Sequence, residues 1–234
     1  LSEATRSYED LAAENEQLKQ QVNELNQQLV EFYQYKQENA QLKNYLGLKE
    51  NNPDYQFVSA SVINRDPNNL YYTFTLDQGS NAGVKVNDPV ITDQGVVGWV
   101  SQVSAMYCEV TTILSPDTNI SATDKVNRES GTISSNAQLS DQGLIKLGLL
   151  EAGTTVQEGD IIVTSGIGGK FPKDLLIGKA VEVKPEENDV SLYATVEPFV
   201  DIKTVRDVII ITSFNGQGEV ADNTDTNNAS SNGG

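Results

Sequence analysis

A chain of 234 residues has room for one or two domains with real cores, and 38% hydrophobic against 21% charged residues is polar enough that part of it is expected to stay unburied. The net charge of −17 is spread as −4 over residues 1–50, −5 over 51–125, −5 over 126–213 and −3 beyond, with no basic segment, which argues against nucleic acid and anionic lipid headgroups as partners. A single cysteine, Cys108, rules out an internal disulfide and a cysteine metal cluster, and the absence of histidine removes the usual general base and the commonest zinc ligand, so no cofactor or metal is expected.

Residues 3–48 contain no proline and one glycine, Gly47, and read as one long helix. Leu11, Leu18, Leu25 and Phe32 recur every seven residues, with Tyr8, Asn15, Val22 and Leu29 at the complementary spacing, so both apolar positions of a heptad are filled. Beyond Phe32 the stripe runs through Tyr35, Asn39, Leu42 and Leu46, which keeps its face only if three residues are inserted into the repeat, a stammer that overwinds a supercoil. A helix about 70 Å long cannot cover its own single stripe. Either a second copy or the rest of the same chain must cover it. Asn15 at a core position of the heptad favours a parallel pair, which makes Leu11, Asn15, Leu18, Val22, Leu25, Leu29, Phe32, Leu42 and Leu46 the expected dimerisation residues. Gly47 is expected to cap the helix in the left-handed conformation, with Asn51-Asn52-Pro53 preventing continuation. The chain begins at Leu1, and its longest apolar runs fall far short of the roughly 20 residues of a membrane helix, so a signal or anchor is expected upstream.

From Tyr55 onward the helical period gives way to ten short runs rich in valine, isoleucine, threonine and aromatics, separated by turn residues. The expected fold is mainly β with an N-terminal helix: residues 1–50 the coiled-coil helix, 55–125 a first small β barrel, 126–213 a second, and 214–234 a disordered tail. Exchange of strands between the barrels is left open. An internal match supports a tandem pair, since GVKVNDPVITDQG at 83–95 resembles TVQEGDIIVTSGIG at 155–168, with Asp88 and Asp160 seventy-two positions apart. Both aspartates precede a strand, where a short carboxylate bonds the local backbone, and neither has the acidic neighbours of an oxygen-ligand metal site.

The stretch TSGIGGKFPKD at 164–174 admits three readings. A phosphate-binding loop needs a hydroxyl residue after its lysine and a helix to open, whereas Lys170 is followed by Phe171-Pro172. A serine hydrolase on two β barrels would use Ser165, but no histidine exists to take its proton, and Lys170 or Lys173 would need desolvation to substitute. The third reading is conformational: Gly166, Gly168, Gly169 and Pro172 shape a tight loop between strands, with Gly178 on the strand that follows. Phe171 either plugs a barrel end or is displayed. With Tyr72 and Trp99, it is a candidate for a partner surface, although alternation along strands buries about half of such residues.

The run TSGIGGKFPKDLLIGKA at 164–180 is similar to the S-G-x-x-G-x-F-P-x-G-x-x-x-G-x-V signature of the MreC family of rod-shape-determining proteins, and VINRDP at 62–67, GSNAGV at 79–84, GVVGWV at 95–100 and SPDTNI at 115–120 agree with it. Asp174 stands where the signature has glycine, and Lys179-Ala180 replaces its ending. The resemblance spans residues 5–213. It implies an extracytoplasmic, non-catalytic scaffold held by one upstream transmembrane helix and dimerised through its coil. Its β domains would bind class B penicillin-binding proteins alongside MreD, MreB and RodA. Pairing at a sheet edge would extend dimers into filaments. Two other readings stand beside it: a periplasmic-adaptor-like transport component, whose coil would need a returning helix, and a degenerate trypsin-like fold with retained hydrolase activity.

Overall fold

The computed structural model describes residues 2–66, 72–186 and 190–218 and, within the helix, the side chains of residues 11–36, 39 and 47–50. Two compact units divide at Asn51/Asn52. The first is the helix α1, Ser2–Asn51, about 75 Å of uninterrupted helix-forming sequence. Leu11, Leu18, Val22, Leu25, Leu29 and Phe32 are each at least half exposed on it, and Asn15 is exposed too. The side chains of Leu42 and Leu46 lie outside the described residues. Gly47 does not cap the helix: it is absent from the positive-φ residues and α1 continues four residues beyond it. The helix ends just before Asn52, whose helical conformation is disfavoured by the ring of Pro53.

Twelve strands follow among the described residues. They are β1 Gln56–Arg65, β2 Thr73–Leu76, β3 Pro89–Ile91, β4 Val96–Val103, β5 Cys108–Thr112, β6 Ile120–Asp124 and β7 Ser130–Ser134, then, after the short helix α2 Ala137–Asp141, β8 Ile145–Leu150, β9 Ile161–Thr164, β10 Leu176–Pro185, β11 Leu192–Pro198 and β12 Asp207–Ser213. Two closed barrels result, with ring orders β1-β12-β3-β4-β5-β2 and β10-β11-β8-β7-β6-β9. Closure leaves neither sheet with a free edge.

The two rings superimpose in order if β1 to β6 are matched with β7 to β12, with one twist. The sixth strand of each copy closes the other copy's barrel: β12 lies between β1 and β3, and β6 between β7 and β9. A boundary at 125/126 therefore does not follow the sheets, because Ile120–Asp124 belongs to the second barrel and Asp207–Ser213 to the first. β6 carries Ile120 and Ala122 into the second core, beside Ile133, Ile145, Leu147 and Ile162, while β12 carries Ile210 into the first, beside Leu76, Val90, Val100 and Val110. Each borrowed isoleucine stabilises by about 1.5–3 kcal/mol on burial, so neither core is complete without the borrowed strand.

Local geometry repeats as well. Asp88 Oδ2 accepts from Lys85 N at 2.7 Å and Asp160 Oδ2 from Gln157 N at 2.7 Å. Val100 N donates to Asp88 O at 2.9 Å and Ala180 N to Asp160 O at 2.8 Å. The bulge at Val100/Gln102 in β4 recurs at Ala180/Glu182 in β10. Gly98 and Gly178 occupy matching places, where a Cβ would run into the carbonyl of Thr111 or of Glu197.

Residues 214–218 are no disordered tail. Phe214 is buried against Tyr55, rings edge-on at 6.1 Å, and a hydrogen-bonded turn follows. Composition alone hides this, because the segment is glycine-rich and polar apart from Phe214. Residues 219–234 lie outside the described residues.

Candidate functional site

The matched copies part company at one hairpin. The offset between them is 72 at Asp88/Asp160 and 80 at Gly98/Gly178, so the β9–β10 connection carries eight more residues than the β3–β4 connection. Those residues make the glycine loop. Its base is fixed by Thr164, fully buried, whose Oγ1 accepts from Leu175 N at 2.9 Å and donates to Pro172 O at 2.5 Å. Gly166, Gly168 and Gly169, at φ 81°, 81° and 60°, take the left-handed turns that let eleven residues return to the same strand pair. Asp174 has φ 66°, so the departure from the glycine of the family signature retains the left-handed backbone that glycine would supply, and aspartate is among the residues that tolerate it best. Its carboxylate bonds Arg128 at 2.6 Å, which holds the Asp174 carboxyl below its usual range.

The loop faces the first barrel. Lys170 Nζ lies 4.4 Å from the centroid of the Trp99 ring, a cation–π contact worth about 1 kcal/mol when partly desolvated. Gly169 O accepts from Gly218 N at 3.0 Å, just beyond β12. The short hairpin of the first barrel also approaches so closely that a Cβ on Gly95 would stand 2.5 Å from Leu176 O of β10. The glycine stretch is thus an inter-barrel seam, with Gly166, Gly168 and Gly169 in left-handed turns.

Two of the three partner-surface candidates are not on the surface. Phe171 is 3% exposed and Trp99 7%, the latter with its face under Lys170. Tyr72 is half-buried. The apolar group displayed by the loop is instead Ile167, 64% exposed, which sequence reasoning passed over because Phe171 is the larger apolar side chain of the loop.

Ser165 Oγ accepts from Ile167 N at 3.2 Å, a local turn bond, while the Lys170 ammonium is committed to Trp99. Lys170 is half-buried, and burial lowers its pKa. Burial, with Asp88 and Asp77 nearby, pushes the Cys108 thiol up to about 11, where almost no thiolate exists near neutral pH. Among the described residues no cluster of three or more acidic or cysteine side chains is placed to hold a metal, and no helix is long and apolar enough to cross a membrane.

The exchanged double barrel and the seam motif can be set against known proteins. The family model for the barrel core of the rod shape-determining protein MreC matches residues 62–212. The chain belongs to the MreC family. A cell shape-determining protein MreC from Listeria monocytogenes is 32% identical over 212 residues, covering 90% of this chain and 72% of the relative. Among solved structures, MreC of Listeria monocytogenes aligns with TM-score 0.65 at 30% identity, over 91% of this chain and all of that one. A complex between a penicillin-binding protein and MreC from Helicobacter pylori aligns with TM-score 0.55 at 13% identity, over 68% of this chain and 99% of that one, a likeness of fold alone. The MreC family is one of cell shape-determining proteins, and its barrel core is the pair of barrels described above.

Proposed function

We propose that this chain is a non-catalytic scaffold on the extracytoplasmic face of the cell membrane, held there by a helix preceding Leu1, that pairs with a second copy through α1 and presents its double barrel to cell-wall elongation enzymes of the penicillin-binding class. The observation that carries the pairing is the heptad stripe: six large apolar side chains from Leu11 to Phe32, each at least half exposed, on a helix that contributes nothing to either barrel's ring. A second identical stripe satisfies their seven-residue period and gives Asn15 a matching amide. The enzyme partner rests on membership in a cell shape-determining family and on the Helicobacter pylori MreC relative having been solved with a penicillin-binding protein. MreD and other elongation proteins are further partners implied by the family resemblance, and end-to-end association of dimers would give filaments.

The pairing is tested by sedimentation. The wild-type chain is expected to run as a dimer at micromolar concentration, and Leu18→Asp with Leu25→Asp as a monomer with the β signal of circular dichroism intact. A wild-type monomer across that range would sink the coiled coil. The non-catalytic reading is tested with a serine-reactive probe, where covalent capture at Ser165 would overturn it.

A further inference from the structure

Five residues after β12 touch three separate parts of the barrel unit. Phe214 packs edge-on against Tyr55 at 6.1 Å, and Asn215 Nδ2 donates to Asp54 Oδ2 at 3.1 Å, so one end of the segment grips the chain just after α1. Gln217 Nε2 donates to Asp88 Oδ1 at 3.2 Å, in the turn that opens β3 of the first barrel. Gly218 N donates to Gly169 O at 3.0 Å, in the glycine loop of the second. Gly216 and Gly218, at φ 85° and 76°, bend the segment so that all of these contacts form at once. The next residue along the glycine loop, Lys170, is the one seated on Trp99.

The duplication shows that these contacts are an addition. Asp160, the counterpart of Asp88, makes the same bond to its own turn through Oδ2 and has only local partners among the described residues, whereas Asp88 is fully buried and spends its second oxygen on Gln217. Nothing in the barrel repeat requires that second bond. We propose that residues 214–218 form a clasp: seated, it holds the glycine loop against Trp99 and pins the segment that follows α1; unseated, it releases both together. The clasp would make the stretch after the helix and the inter-barrel seam respond as one, although they lie more than a hundred residues apart in sequence.

The chain contains one tryptophan, so its emission reports the seam directly. Two variants unseat the clasp by different means. Asn215→Ala with Gln217→Ala removes the side-chain ties, and Gly218→Pro removes the N–H that meets Gly169 and forbids the observed φ. Lys170→Met, which removes only the cation over the ring, sets the reference. The expected result in either clasp variant is a shift of Trp99 emission toward that of Lys170→Met, together with faster hydrogen exchange at residues 166–171 and at Tyr55, while the amides of β1 and β12 keep wild-type protection. Should Gly218→Pro fail to fold, the double alanine variant decides. Wild-type emission and wild-type exchange in the glycine loop overturn the clasp, whether or not residues 214–218 themselves loosen; loosening of the loop without Tyr55 also overturns it, because the two ends would then be independent.

Discussion

The β3–β4 and β9–β10 hairpins fill the same place in two copies of one barrel, yet between the matched threonines and the next strand one has the three residues 93–95 and the other the eleven residues 165–175. In the short one Thr92 Oγ1 accepts only from Gln94 N, at 3.1 Å in an exposed turn. In the long one the matching Thr164 is buried and bonds both Leu175 N and Pro172 O. The flanking strands carry matching bulges and glycines, so the insertion changed the turn and left the barrel untouched. The extra length went into contact with the other barrel. A closed barrel tolerates such growth because loop closure costs rise only slowly with length.

If the copies are equivalent up to the hairpin, the largest effects fall on both alike. Gly98→Ala and Gly178→Ala each drive a Cβ into a neighbouring backbone carbonyl, and each is expected to destabilise by about 3 kcal/mol in urea unfolding. Tolerance of one but not the other would break the equivalence. The hairpin threonines should separate the copies: Thr164→Val strands a buried donor and acceptor and is expected to cost about 2 kcal/mol, against roughly 0.5 kcal/mol or less for Thr92→Val. Equal losses would mean that the long loop is no better anchored than the short turn. The smallest effect concerns the paired aspartates. Burial raises the pKa of Asp88 despite its bonds to Lys85 N and Gln217. The native state then holds its proton to higher pH than the unfolded chain, so the stability that this group contributes is greatest below the unfolded value near about 4 and declines as pH rises through the folded value. Asp88→Asn should remove that decline from a series of urea melts, and an unchanged slope would show that Asp88 does not titrate differently on folding.

Period and offset made much of this molecule legible in its sequence. Seven-residue spacing located α1, and the 72-residue offset of Asp88 and Asp160 located the duplication, because both depend on residue type at fixed distance along the chain. Strand exchange was not legible. β6 and β7, the short polar runs ISATD and SGTIS, went unread, since neither alternates strongly nor carries large apolar residues, and which ring a strand joins is decided by partners far away in sequence. Gly47 misled because a glycine near a helix end is usually a cap, whereas here Pro53 sets the stop. At the seam, the glycine pattern was read as turn chemistry. The partner of that turn was not, because Lys170 and Trp99 meet only through tertiary packing. Residues 214–218 were lost to their composition: small polar residues look unfoldable until a buried phenylalanine and three well-placed acceptors order them.

The borrowed strands also set an order of events for a chain that emerges from its N-terminus. β6 is made before the five strands it will join, so the later barrel can shut as soon as β11 is available. The earlier barrel must wait for Asp207–Ser213, and until then β1 and β3 present raw ladders to whatever is near. The half synthesised first is therefore finished last.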